Sequence, residues 1–358
     1  MKAVKKVFVA LSAILVWTAI PAASAHAVSI GQACSKTALG TRVSIRVNKK
    51  PVVVVCRIRA GRKQWIRAAV QTITTTTTST STTSTTVPEP VVNYTDVVDP
   101  IDPTLHTITI EGMQPRTYYL NIPPNYTAAT PVPLLIGLHG LGGSAPIFRD
   151  QSNMDVFTND ANVISVFPNG FGETAGTVNS WNAGSCCGLS QISETNDVNL
   201  ISAIIQNMKS NYSIDPKNVW AVGFSNGGMM SYRLACELSD KITAIGVGAG
   251  SLMVGTCSPP NPVSLIHIHG GLDNKVPLTG GGVFSAPDST KAFQMVNSAN
   301  KCSGMTYLES TGTDKVEISA TCADGTEAKL VNYFDQGHEW TVFWTKEILR
   351  FLFAHPRK

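Results

Sequence analysis

The chain has 358 residues, of which 43% are hydrophobic and 15% charged, and its formal net charge is +4. That length suits one large domain or two unequal ones with a sizeable core, and the apolar content excludes wholesale disorder. The charge is divided unevenly: residues 1–88 hold 13 Lys and Arg with no Asp or Glu, whereas residues 89–358 hold 15 Lys and Arg against 24 Asp and Glu. A basic N-terminal piece thus precedes an acidic body and is expected to meet something anionic.

Residues 1–25 read as a signal peptide. Lys2, Lys5 and Lys6 precede an apolar run from Val7 to Ile20, and Ala23-Ser24-Ala25 supplies the small-residue cleavage pattern. The run is short for a bilayer span, and no other stretch could span one, so the chain is expected to be secreted or associated with a cell surface. Residues 28–70 form a basic module with three strand-like stretches, for which Cys34 and Cys56 offer a staple. Residues 71–104 read as a linker: an almost pure Thr/Ser run, then Pro88, Pro90 and two Asp-Pro pairs.

Residues 105–358 read as the catalytic domain. His106–Ile110 and Arg116–Ile122 suggest an antiparallel pair; Pro133–His139, Val163–Phe167, Asn218–Gly223, Ile242–Val247, Val263–His269 and Lys329–Phe334 read as strands. Helical spacing covers Asn199–Tyr212, Gly227–Leu238, Asp288–Asn300 and Thr341–Ala354. Apolar runs interleaved with helices predict a mostly parallel sheet covered on both faces. Eight cysteines, an even number in an exported chain, predict disulfides. Cys236 with Cys257 and Cys302 with Cys322 are plausible pairs; Cys186 and Cys187 are expected to bridge to other cysteines. No CxxC pair is present, and no metal site is expected.

Gly223-Phe224-Ser225-Asn226-Gly227 follows a predicted strand and opens a predicted helix. In that context a G-x-S-x-G pentapeptide places a serine hydroxyl on a sharp, exposed turn. A serine hydroxyl needs a base, and the base an orienting carboxylate, in the chain order Ser, Asp or Glu, His. Asp273, in the loop after a strand, is the candidate acid; Asp288 is the rival, better read as a helix N-cap. His338, between the last strand and the last helix, is the candidate base. His139, His267, His269 and His355 are poorer candidates, the first two because they lie in or at the ends of buried strands. Oxyanion donors are expected from the backbone N–H groups of Asn226 and of Leu141, in the glycine-rich loop 140–143. Trp181 and Trp340 are candidate substrate contacts.

LHGLGG, WNAGSCCG, GFSNGGMMSYRLAC, HGGLDNKVP and GHEW occur in order between residues 138 and 340. Together they resemble the polyhydroxybutyrate depolymerase and feruloyl esterase group of α/β-hydrolases (carbohydrate esterase family one and relatives). The resemblance covers about residues 105–358 and implies an α/β-hydrolase fold, an esterase without cofactor, and Ser225, Asp273 and His338 as nucleophile, acid and base. It implies carboxylic esters as substrates: feruloyl or acetyl esters of plant polysaccharide, or polyhydroxyalkanoate-type polyesters. The family often carries a longer loop after the histidine than the one following Trp340 here. A secreted serine peptidase of the same fold and a non-catalytic binding or adhesion protein on a hydrolase scaffold are the alternative readings. Residues 31–70 suggest contact with an anionic cell envelope or polymer rather than with nucleic acid.

Overall fold

The computed structural model describes residues 92–172, 179–309, 315–322 and 325–357, together with three N-terminal strands. The signal-peptide reading of residues 1–25, the linker up to residue 91 and the Cys34 half of the staple lie outside the described residues. The chain divides into two units, one ending at Thr86 and the other beginning at Val87. In the first, β1 (Arg42–Val47), β2 (Lys50–Arg59) and β3 (Arg62–Arg67) form an antiparallel sheet in that order.

The second unit contains, in chain order, β4 (Tyr94–Val98), β5 (Leu105–Ile110), β6 (Arg116–Asn121), β7 (Val132–Leu138), α1 (Ala145–Ser152), α2 (Met154–Asp160), β8 (Ile164–Pro168), α3 (Gly188–Ile192) and α4 (Asp197–Asn211). It continues with β9 (Ile214–Phe224), α5 (Asn226–Glu237), β10 (Ala244–Gly248), β11 (Ser264–Gly270), α6 (Ser289–Ala299), β12 (Ser303–Glu309), β13 (Lys315–Thr321), β14 (Glu327–Tyr333) and α7 (Val342–Ala354). The eleven strands form one sheet in the order β12-β13-β14-β11-β10-β9-β7-β8-β6-β5-β4. Strands β14, β11, β10, β9, β7 and β8 run parallel, and both flanks are antiparallel.

Burial explains the sequence pattern. The central strands β8, β10 and β11 are buried at every residue, so they read as continuous apolar runs. The flanking β5 and β6 alternate buried and half-buried residues, which is the signature of a sheet with one wetter face. Side-chain alternation then sorts the core into two layers. Leu134, Ile136 and Leu138 of β7 join one layer with α4, α5 and α6, while Leu135 joins the other with α1, α2 and α7. Caps mark the helix starts: Asn196 accepts from the Asn199 N–H, Asp288 from the Thr290 N–H and Thr341 from the Trp344 N–H.

Three expectations need correction. The segment read as linker through residue 104 is structured from Tyr94, where β4 pairs with β5. As an edge strand with mostly exposed residues, β4 carries no core pattern to betray it. Helices α1 and α2 also escaped the reading, because α1 buries only Ala145, Phe148 and Ser152, and α2 only Met154 and Thr158. Finally, Cys186 and Cys187 bond to each other rather than to distant cysteines, since Cys236 pairs with Cys257 and Cys302 with Cys322.

Candidate active site

The carboxyl ends of the parallel strands bring together loops that are far apart in sequence. β9 ends at Phe224, α5 starts at Asn226, and Ser225 between them holds φ 54° and ψ −118°. A side chain in that region costs on the order of 1–3 kcal/mol, so the surroundings must impose it. The two motif glycines show how. A Cβ on Gly223 would sit 2.2 Å from the Gly227 backbone, and one on Gly227 would sit 2.1 Å from the Leu138 carbonyl oxygen. The turn closes because both positions lack a side chain, and the Ser225 N–H donates to the Gly248 carbonyl at 2.8 Å.

Asp273 stands in the turn after β11. Its Oδ1 accepts the Lys275 and Val276 N–H groups, each at 2.9 Å. The loop after β14 is laced to this turn: the Gly271 N–H donates to the Tyr333 carbonyl and the Leu272 N–H to the Gln336 carbonyl. That lacing delivers His338, whose Nδ1 lies 2.7 Å from Asp273 Oδ2 and whose Nε2 lies 2.9 Å from Ser225 Oγ. Burial works to raise the Asp273 carboxyl, but hydrogen bonds from His269, His338 and the Val276 N–H outweigh it and hold the group well below the usual carboxylate range. An ionised Asp273 makes His338 Nδ1–H the donor, which leaves Nε2 to accept from the Ser225 hydroxyl. The His338 ring rests against Phe224, 5.0 Å between centroids.

The loop after β7 abuts the serine: a Cβ on Gly140 would lie 3.4 Å from Ser225 Cβ. Its shape is fixed from several sides. The Gly142 N–H donates to the Asn179 carbonyl, Asn179 Nδ2 donates to the Gly143 carbonyl, and Trp181 Nε1 donates to the His139 carbonyl. His139 is pushed down to about 4 by burial, so it stays neutral and its Nε2 accepts the Gly170 N–H at 2.9 Å. No described residue accepts from the Leu141 or Asn226 N–H. Asn226 follows Ser225 directly in the chain, and Leu141 follows the Gly140 that abuts it.

Both tryptophans named as substrate contacts face inward instead. Trp181 is 0% exposed, and Trp340, at 5%, packs against Phe148, Phe224 and Trp344 and donates Nε1–H to Thr345 Oγ1. Large apolar rings in loops at the ends of the central strands gain more by closing the core than by waiting in solvent.

Two groups that hold this site had no distinct signal in the sequence. The Asn226 carboxamide clamps the Trp181 backbone, accepting its N–H at 2.7 Å and donating to its carbonyl at 3.0 Å. Asp197, fully buried, accepts from Arg116 at 2.7 Å, from the Asn182 N–H at 2.8 Å and from Thr195 Oγ1 at 3.0 Å. A buried aspartate beside a buried arginine is legible only once the fold brings residues 116 and 197 together. A cavity of about 520 Å³ adjoins loop 140–144, lined among others by Arg116, Tyr119, Ser144, Phe171 and Asn179. Among the described residues no group of three or more His, Cys, Asp or Glu side chains is placed to hold a metal ion, and no helix is long and apolar enough to cross a membrane.

A sequence family described as phospholipase/carboxylesterase matches residues 126–306. The probable feruloyl esterase C of Aspergillus terreus is 33% identical over 184 residues, 50% of this chain and 62% of that protein. The feruloyl esterase B of Piromyces equi is 28% identical over 238 residues, 62% of this chain and 42% of that protein. The match with these relatives therefore spans only about half of their length. Among solved structures, an acetyl xylan esterase from Aspergillus awamori superposes with a TM-score of 0.51 at 15% identity, covering 73% of this chain and 98% of that one. At that identity the likeness speaks to the fold alone, which is that of an α/β-hydrolase.

Proposed function

The chain belongs to the phospholipase/carboxylesterase family, and from that premise we propose that it is an exported serine esterase in which Ser225, His338 and Asp273 form the catalytic triad. The observation that carries this reading is the unbroken line from Ser225 Oγ through His338 to Asp273, at 2.9 and 2.7 Å. Ser225 Oγ attacks the ester carbonyl while His338 Nε2 takes its proton. Asp273 holds the imidazole in the required tautomer and stabilises the imidazolium. The Leu141 and Asn226 N–H groups receive the oxyanion, each donor worth about 3 kcal/mol of barrier. His338 then protonates the departing alcohol, and a water deprotonated by His338 releases the acid from the acyl-enzyme.

The names of the relatives support feruloyl or acetyl esters of plant polysaccharide as the substrate class. Export is supported by the signal-like N-terminus and by the disulfides of the second unit. The basic unit, with ten Lys and Arg and no acid between residues 31 and 70, is assigned to an anionic envelope or polymer surface. Added salt should release the full-length chain from such a surface.

The test is a panel of a short-chain nitrophenyl ester, methyl ferulate, acetylated xylan and a hydroxybutyrate oligomer, run on the oxidised protein and on Ser225→Ala. Hydrolysis that disappears in the alanine variant supports the esterase, and the rank order separates polysaccharide esters from polyesters. Equal hydrolysis by the folded variant would refute it. Cleavage of peptides but of no ester would transfer the triad to the peptidase reading.

A further inference from the structure

Behind the triad lies a second line of titratable side chains that the proposed mechanism does not use. β11 carries His267 and His269, both wholly buried, and their spacing of two puts both on one face of the strand. Tyr232, also wholly buried, reaches them from α5. Tyr232 Oη lies 2.8 Å from His267 Nδ1, and His267 Nε2 lies 2.8 Å from His269 Nδ1. His269 Nε2 then lies 2.7 Å from the Val276 carbonyl oxygen and 3.4 Å from Asp273 Oδ2. Burying three polar side chains in a strand–helix interface is costly unless every donor meets an acceptor.

The far end of this line fixes one proton. His269 Nε2 faces two oxygens, a carbonyl and a carboxylate, neither of which can donate, so Nε2 must carry a proton. His267 lies next in the line, with its Nε2 against His269 Nδ1. Burial favours the neutral form of His267, holding it well below the usual histidine range, and raises the Tyr232 hydroxyl so that it keeps its proton. The groups that face Asp273 are His269 from β11 and His338 from the loop after β14, with only backbone N–H groups from Lys275 and Val276.

We propose that His269 is a positioning residue for the triad: its Nε2–H, bonded to the Val276 carbonyl at 2.7 Å and 3.4 Å from Asp273 Oδ2, holds the turn at residues 273–276 and the carboxylate that faces His338. Asp273 is thereby fastened at both oxygens, Oδ1 by the backbone and Oδ2 by His338, with His269 bracing the turn that carries it. Rotation of the carboxylate, which would carry Oδ2 away from His338, is opposed from both ends. This inference rests on the triad reading, because His269 acts only through Asp273.

The test compares His269→Leu with His269→Gln, whose Nε2–H can replace the lost donor. A hydrogen bond to a charged group supports roughly a tenfold effect. The leucine variant is expected to lose about tenfold in kcat on a nitrophenyl ester with KM within about twofold, and the glutamine variant to recover most of it. A folded leucine variant with unchanged kcat, or a glutamine variant no better than leucine, overturns the proposal. If the leucine variant does not fold, nitrogen NMR of the wild-type protein with labelled histidine decides alone. A proton on His269 Nε2 is expected, and an Nε2 without one overturns the assignment. Failure of the triad reading shows itself separately, as turnover that survives Ser225→Ala.

Discussion

Replacing Asp273 by Asn tests the acid's role more sharply than any truncation. The two side chains have the same shape, but the four groups around this carboxylate are all donors: the Lys275 and Val276 N–H groups at Oδ1, and His338 Nδ1–H and His269 Nε2–H at Oδ2. A carboxamide offers one oxygen and one NH2 group. The backbone donors cannot turn away, so the oxygen stays with them and the NH2 group faces the two imidazoles. His338 can escape the clash only by becoming an acceptor at Nδ1. Its Nε2 then carries the proton and can no longer take one from Ser225 Oγ. Wrong-tautomer losses of this kind amount to about 10⁴ in kcat, or about 5.5 kcal/mol at 1.36 kcal/mol per decade. His269 Nε2–H keeps the Val276 carbonyl, but loss of the charged acceptor at Oδ2 should cost roughly 1–3 kcal/mol in folding stability. Steady-state hydrolysis of a short-chain nitrophenyl ester measures the first effect and urea unfolding the second, with intact mass excluding deamidation back to Asp. A folded Asp273→Asn protein within tenfold of the wild-type kcat would refute the reasoning.

Four further outcomes follow from particular positions. Gly227→Ala would drive a Cβ into the Leu138 and His139 carbonyl oxygens, at 2.1 and 2.6 Å; it should cost about 3 kcal/mol in urea unfolding and most of the activity. Gly255→Ala meets nothing within 4 Å and should stay within about 0.5 kcal/mol of wild type in the same experiment. Removing Cys236–Cys257 by a double alanine substitution opens a loop closed over 21 residues and should cost about 3 kcal/mol of unfolding free energy. His139 is held neutral down to about pH 4 by burial, whereas in the unfolded chain it takes up a proton near pH 6.5. Stability present above pH 6.5 is therefore lost progressively as the pH falls to 4, by about 3 kcal/mol, and unfolding curves of His139→Gln across that range should lack this component.

What could be read from the chain beforehand was what depends on local pattern. Residues 223–227 announce a strand-to-helix turn because the pentapeptide sits between an apolar run and a helical period. The two later loops follow from chain order, and the structure puts Asp273 and His338 beside Ser225. Elements buried on both faces were equally visible, because such strands are mostly apolar along their whole length. What escaped depends on contacts between distant segments. β4 has one partner and a wet face, so its sequence carries no imprint of the sheet. Trp181 and Trp340 look like surface aromatics in their loops, and only the packing of those loops against His139 and Phe148 turns them inward. Cys186 and Cys187 bond to each other, while Cys236, Cys257, Cys302 and Cys322 pair among themselves. The histidines of β11 read as buried structural residues, and their link to Asp273 depends on the turn at residues 270–276 folding back beneath the carboxylate.

The central claim is that Ser225 is the nucleophile of an ester hydrolase. It is tested most directly by treating the oxidised protein with a fluorophosphonate and locating the adduct by tandem mass spectrometry while ester hydrolysis is followed in the same sample. The account requires one adduct, on Ser225 Oγ, rising in step with the loss of hydrolysis and absent from Ser225→Ala. Full loss of hydrolysis with Ser225 unmodified, or full modification of Ser225 with hydrolysis intact, would contradict it.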